Sequence, residues 1–483
     1  MISWKSASAA LALACAAGCR TTEEVLHDYE ANISNGQYAA PISEMKCLAD
    51  KGDDSQLLWR LMTGAAQYMA DDKAGALASF DAAEDVFAQN DRTSVFARGG
   101  EGAFAMMTND RAFTYDGGGI DRVFTCLYKA IDFMCEGKPD LARVELNRAS
   151  QYQSNWIADR RKDIEAADNR MRTESADYAK SQNTTAQGDY GRQTTSAMGD
   201  ASFRAMIREK CNFDTMTSGR LDTLGAADYT NPYASHVTGV FRWINGDGDR
   251  NHLREAAACA PNCRTAVQDY AESRQGGKPM NQVWIWAEDG LCPCREEWRL
   301  DLPLIFMPFV RHYLPYVGMA LPVLRERSKA AATWRVTTSG GEDARMDDVA
   351  DVDKLVKVEY DVYMRGAIAR EITRTMVRAG VQVALGVTAD NVRDNYTRIA
   401  LKASQLGVAA WARLSTAADL RSWTALPKTV KAVRVARPAD GRIDVWADGQ
   451  KIQLSLEPGN TLVFIRKPGP FAVPVIKQVT FKR

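Results

Sequence analysis

Four cysteines in the middle of this 483-residue chain have the type and spacing for metal or redox chemistry. Cys259 and Cys263 flank an Ala-Pro-Asn loop, and Cys292 and Cys294 stand two residues apart. Closely spaced thiolates bind zinc, and in an oxidising compartment they form disulfides. On one extended strand Cys292 and Cys294 would lie ~6.6 Å apart at a rise of ~3.3 Å per residue. That exceeds the ~4 Å Cβ spacing of a disulfide, so each would instead pair with Cys259 or Cys263. C-x3-C beside C-x-C is not a usual zinc spacing. Disulfides, a zinc site and buried free thiols stay open, and no metal or cofactor is assigned.

Other reactive groups are sparse. The four histidines, His27, His236, His252 and His312, form no metalloprotease helix motif, and no serine elbow is present. Asn245 to Ala256 imitates a calcium loop, but Arg250 stands where Gly is needed and Ala256 where a bidentate Glu is needed. Asp116-Gly-Gly-Gly-Ile120 lacks the lysine and hydroxyl of a phosphate loop. Asp419 and Arg421 are candidate site residues. The competing reading is an ion pair at a domain junction with Trp423 packed as core. No catalytic constellation emerges, so the chain does not read as an enzyme.

The N-terminus carries chemistry of another kind. Lys5 precedes a short apolar run, Ala7 to Gly18. This is the layout of a secretory signal, too short for the ~20 residues that span a bilayer. Ala16-Ala17-Gly18-Cys19 resembles the lipobox of bacterial lipoproteins, with Ala16 where Leu is more usual. The resemblance implies that residues 1–18 are removed and that Cys19 is the lipidation site. A plain signal peptide is the competing reading. Thr21 to Glu24 reads as a polar tether. The expected location is the periplasmic side of a bacterial membrane, preferentially the outer one. Leu302 to Leu324 is the most apolar later stretch, but Pro308, Pro315, Pro322, Arg311 and His312 make it a kinked, buried segment rather than a span.

The elements that would position these residues fall into two halves. Net charge is formally zero, which gives no case for nucleic acid. From Arg421 onward, however, 12 Lys/Arg face 4 Asp/Glu. Residues 19–270 read as helical. Gly64, Ala76, Phe80 and Ala83 keep tetratricopeptide-like offsets, and Ala130, Ala142, Leu146 and Ala149 repeat them. Tyr233–Ile244 and Asn251–Ala258 make a weaker third pair. Trp156–Gln182 reads as a charged helical extension. Residues 183–200 have the composition of a disordered insertion.

The pattern changes near Gly277. Residues 278–415 read as a mixed region, with strands at QVWIWAE, EEWRLDLP and TWRVT followed by two helices. Residues 416–483 read as a small β-sandwich-like module of short strands and turns. The expected fold class is therefore α+β: N-terminal tetratricopeptide-like repeats, a mixed region, then a β-rich module.

AEDGLCPCREEWRLDLP and DLRSWTALPKTVKAVRV resemble an uncharacterised family of bacterial cell-envelope lipoproteins with tetratricopeptide-like helices. The matching positions are Glu288, Gly290, Pro293, Glu296 and Pro303, then Asp419, Arg421, Trp423, Leu426 and Pro427, then Gly441, Gly449 and Gly459. Cys292 and Cys294 depart from the pattern. Genes of this family often sit beside those for lipoprotein activators of penicillin-binding proteins. The resemblance implies a lipid-anchored scaffold or adaptor that binds an envelope protein, linked to peptidoglycan synthesis. Alternatives are a module binding glycan or lipopolysaccharide and, less favoured, a cell-wall-active enzyme.

Overall fold

The structure is a computed structural model that describes residues 20–96, 109–158, 199–213, 226–248, 250–301 and 318–482. The signal segment, Cys19 and residues 183–198 of the expected insertion lie outside the described residues. The chain has a mixed α+β architecture, with helices mainly in the N-terminal half and sheets in the C-terminal half.

The helices run α1 (Thr22–Ser34), α2 (Ala39–Ala49), α3 (Gln56–Met69), α4 (Lys73–Phe96), α5 (Gly119–Cys135) and α6 (139–158). After α7 (Ala201–Cys211) and α8 (Ala226–Tyr229) come α9 (Pro232–Asn245), α10 (Asn251–Cys259) and α11 (Arg264–Ser273). The expected tether is instead a helix start. The Thr21 hydroxyl accepts the Glu24 N–H at 3.2 Å, and the Glu24 carboxylate accepts the Thr21 N–H at 2.8 Å. This reciprocal cap satisfies two otherwise unpaired donors.

The small residues pack as their spacing implies. A Cβ on Gly64 would stand 2.6 Å from the Phe80 ring, so only glycine lets α3 and α4 approach this closely. Ala130, Ala142, Leu146 and Ala149 are all buried between α5 and α6.

A five-stranded sheet lies against these helices in the order β11-β10-β1-β7-β6, with β1 (Gln282–Asp289), β6 (Asp347–Asp351), β7 (Thr429–Ala436), β10 (Asn460–Lys467) and β11 (Val475–Phe481). The central β1 runs parallel to β10 and antiparallel to β7. A four-stranded sheet covers the other face in the order β5-β4-β8-β9, built from β4 (Trp334–Thr338), β5 (Asp343–Arg345), β8 (Arg442–Ala447) and β9 (Gln450–Ser455). Side chains alternate along a strand, so β1 serves two cores. Trp284 and Trp286 enter the helical core, while Val283, Ile285 and Ala287 enter the core between the sheets.

Residues 416–483 therefore do not form a module of their own. β7 and β10 flank β1, and β8 pairs with β4. A buried central strand needs partners for its N–H and C=O groups on both edges, and here the tail supplies them. The described end of the apolar stretch, from Gly318, starts out buried and is extended. It is strand β3 (Gly318–Arg325), paired with β2 (Cys294–Asp301).

The last large unit is a helical hairpin. α12 (Val352–Asn391) is 40 residues long, ~60 Å at 1.5 Å per residue. α13 (Asn395–Ser415) returns along it, and the Gln405 amide donates to the Gln382 carbonyl at 2.9 Å.

Candidate functional site

Most of the residues singled out above lie where helices meet sheet. Glu288, on β1, is 1% exposed. Its two oxygens accept the Tyr233 hydroxyl at 2.8 Å and the Tyr128 hydroxyl at 3.2 Å, and Arg466 stands 3.6 Å away. Burial holds its carboxyl above the ordinary range, opposed by Arg466 and the two hydroxyls. Gly290 follows with φ +66°, and a Cβ there would meet the Ser328 carbonyl at 3.1 Å. Arg466 donates to the carbonyls of Gly290 at 2.6 Å and Ala425 at 3.0 Å. Glu288 and Gly290 are thus parts of a junction that holds itself together. Glu296, by contrast, is exposed and pairs with Arg325.

Two steps along β1 lies a second polar junction that no local sequence motif announces. Trp286 donates its indole N–H to His236 Nδ1 at 3.1 Å, and His236 Nε2 lies 2.8 Å from Asp269. An indole can only donate, so the histidine proton sits on Nε2 and points at the carboxylate. Asp269 also accepts Trp284 at 2.9 Å and Arg434 at 2.7 Å. His236 and Asp269 are fully buried, and this pair is walled off by indoles rather than presented to a substrate.

Asp419 and Arg421 form a bidentate pair at 2.8 and 2.9 Å. Arg421 also donates to the carbonyls of Phe113 at 2.8 Å and Asp110 at 3.2 Å, so it pins the loop before α5. Trp423 is 3% exposed and packs 6.1 Å from Phe80 and 6.2 Å from Tyr128. The structure therefore favours the junction reading for this trio. The helical face carrying Phe80, Tyr128 and Tyr233 is covered from within by Trp423 and Glu288.

Among the described residues the structure draws neither a disulfide nor a cysteine zinc cluster. Cys259, Cys263, Cys292 and Cys294 are free thiols, as are all the described cysteines. Burial pushes Cys292 up to about 12 and Cys294 and Cys263 up to about 11. These four thiols do not come together in a metal-like group among the described residues. Among the described residues the group with metal-like geometry is instead Glu84, Cys126 and Glu145. Two cations already fill it. Lys129 Nζ lies 2.8 Å from Asp81, 2.8 Å from Glu84 and 3.0 Å from Glu145, and Arg148 lies 2.9 Å from Glu84. The sequence signal for this site was the lysine within the largely apolar run VFTCLYKAI of α5.

Among the described residues, one feature able to receive a ligand is a cleft of about 480 Å3 beside this junction. The loop Asp116–Gly119, α12 and the segments around Cys292 and Trp423 enclose it. Asp121 accepts the Tyr115 hydroxyl at 2.8 Å and the Gly118 N–H at 2.9 Å. Glu359, from α12, accepts the Ile120 N–H at 2.9 Å. Burial raises both carboxyls, and the nearby Asp121 raises Glu359 further. Burial also pushes Asp110 up, but Arg370 and Arg374 outweigh it and hold that carboxyl well below its usual range. The Arg295 guanidinium lies 4.5 Å from the Tyr363 ring centroid, with no hydrogen bond or ion pair to a described residue. Trp423 Nε1 and Ser422 Oγ, also on the lining, are buried without a partner. The cleft thus offers aromatic walls, a cation, two unused polar groups and a carboxyl pair with raised proton affinity. It places Asp419, Arg421, Trp423 and Cys292 on one wall, and leaves Cys259 and Cys263 elsewhere.

Comparison with protein-family models, with curated proteins and with solved structures finds no match to this chain. Among the described residues, no helix is long and apolar enough to cross a membrane.

Proposed function

We propose that the chain is a lipid-anchored, non-catalytic scaffold or adaptor on the periplasmic side of a bacterial envelope, preferentially at the outer membrane. Its helical pairs act as a tetratricopeptide-like frame, and its partner is an envelope protein, linked to peptidoglycan synthesis. The observation that carries the reading is the division of polar groups. Glu288, Asp269, Asp419 and Lys129 are consumed in holding the chain's own elements together, while Ser422 and Trp423 keep unused donors at an open cleft that Arg295 also lines. The groove that such helical stacks offer to partners is filled by the chain itself. The cleft rim is therefore the docking place, and an acidic or carbonyl-rich segment is its complement.

Crosslinking in cells from a photoreactive residue at Tyr363 tests this. Wild type captures a discrete envelope protein, and Arg295→Glu loses it. The reading fails if the intact, anchored protein captures nothing that depends on Arg295.

A glycan ligand is the second reading, favoured by the aromatic lining of Trp156, Tyr363 and Trp423 beside the carboxyls. Titration with soluble cell-wall glycan fragments separates it from the first. The same fragments in a turnover assay test the enzymatic alternative, in which Asp121 and Glu359 would exchange the proton.

A further inference from the structure

Helix α13 presents two faces. Gln405, Ala409 and Ala412 are buried against α12. On the opposite side Tyr396 (86% exposed), Ile399 (66%), Leu406 (57%) and Leu414 (85%) face solvent. With the exposed Ala403 and Ala410 between them, they recur at steps of three and four, which places them on one face of a helix. Trp411 is exposed beside this stripe. A contiguous apolar surface on this scale marks an interaction site rather than ordinary surface.

Charge identifies the occupant. Residues 395–415 contain Arg398, Lys402 and Arg413 and no Asp or Glu. Lys402 and Arg413 border the stripe. Lys402 pairs with Asp390 at 3.0 Å, with both side chains more than half exposed, and such pairs contribute little and exchange readily. A second copy of the same face would set cation against cation, which disfavours self-pairing. The face is also broad, with aromatic residues near both ends of a helix ~30 Å long. A broad apolar face with basic flanks and aromatic ends is the pattern of a helix lying in a membrane surface.

The fold adds orientation. In one short loop, the Asn109 amide donates to the Ser415 carbonyl at 2.8 Å, and Arg111 donates to the Thr22 hydroxyl at 2.5 Å. The start of α1 and the base of α13 therefore share one side of the molecule.

We propose that α13 lies on an anionic phospholipid surface, with its apolar stripe among the acyl chains and Lys402 and Arg413 at the headgroup phosphates. This rests on α13 itself and does not require lipid at Cys19.

The test uses the full chain with vesicles of phosphatidylethanolamine and phosphatidylglycerol, and with vesicles of phosphatidylcholine alone. Hydrogen exchange read on residues 395–415 separates this contact from any made by the N-terminus. Protection of α13 on the anionic vesicles, at least tenfold weaker on phosphatidylcholine, is expected. Ile399→Glu with Leu406→Glu should abolish it, and Lys402→Glu with Arg413→Glu should reduce it about tenfold in 0.1 M salt. Both pairs are surface changes, and circular dichroism verifies the fold. Unchanged α13 exchange in wild type on anionic vesicles overturns the proposal, whatever the variants do. So does protection that appears without vesicles as protein concentration and mass rise together, which would assign the face to a second copy.

Discussion

Glu359 on α12 accepts the backbone N–H of Ile120, 239 residues earlier, and so caps α5. Gly118, at the cap position, has no side chain to do this itself. The run of three glycines is needed because other residues press on its backbone. A Cβ on Gly118 would stand 2.2 Å from Glu359 Oε2, one on Gly119 would stand 2.2 Å from the Trp156 indole, and one on Gly117 would stand 2.6 Å from the Phe87 ring.

Gly118→Ala should therefore destabilise the protein by ~1–3 kcal/mol, the usual cost of forcing atoms into a packed site. Urea unfolding followed by circular dichroism measures it. An unchanged midpoint would show that Glu359 does not dock on this loop.

Glu359 also predicts a pH dependence. Burial and Asp121 raise its folded-state carboxyl above its unfolded value. The folded state then binds more protons, so its contribution is fully present below the ordinary carboxyl range and is lost as pH rises into the neutral range. Asp132, pushed up to about 6 by burial against the pull of Lys477, contributes with the same sign. Melting temperature should fall between pH 5 and pH 8, and Glu359→Gln should flatten that fall. An equal slope in the variant would remove Glu359 as its source.

Lys129→Met should cost ~3–5 kcal/mol, because it takes the shared cation from three carboxylates on two helices, Asp81 and Glu84 on α4 and Glu145 on α6. Adding Glu84→Gln and Glu145→Gln should recover part of the loss. Denaturant titration of the single and triple variants checks both statements.

Cys263, Cys292 and Cys294 should resist a thiol reagent in the native protein and react once it is unfolded, whereas exposed Cys47 should react at once. Mass spectrometry of the unreduced, labelled chain reads this site by site. A disulfide linking any of Cys259, Cys263, Cys292 and Cys294 would restore the oxidised reading.

Trp423→Ala should cost ~3–5 kcal/mol, as truncation of a buried aromatic leaves a cavity, here against Phe80 and Tyr128. Its effect on partner capture should track this loss of fold. Arg295→Glu should instead reduce capture by more than its own effect on melting temperature accounts for.

Local pattern determined much of this protein. The offsets of Gly64 and Phe80, and of Ala130 and Leu146, specify close helix pairs, because side-chain size at three- and four-residue steps decides how near two helices come. QVWIWAE reads as a strand, because aromatic and β-branched residues crowd it, but only the structure buries both of its faces. The broken calcium loop and the missing lysine of the glycine run were legible because each chemistry demands a particular residue at a particular step. What only the tertiary structure decided is which charges meet. Glu359 on Ile120, Lys477 on Asp132 and Arg421 on Phe113 join residues hundreds of positions apart. The tail's place in a shared sheet is a matter of the same kind, since β1 could be paired only by strands from the far end of the chain. Periodicity reports what a residue does within its own element. It carries no information about which distant element arrives to satisfy a buried charge or an unpaired strand edge.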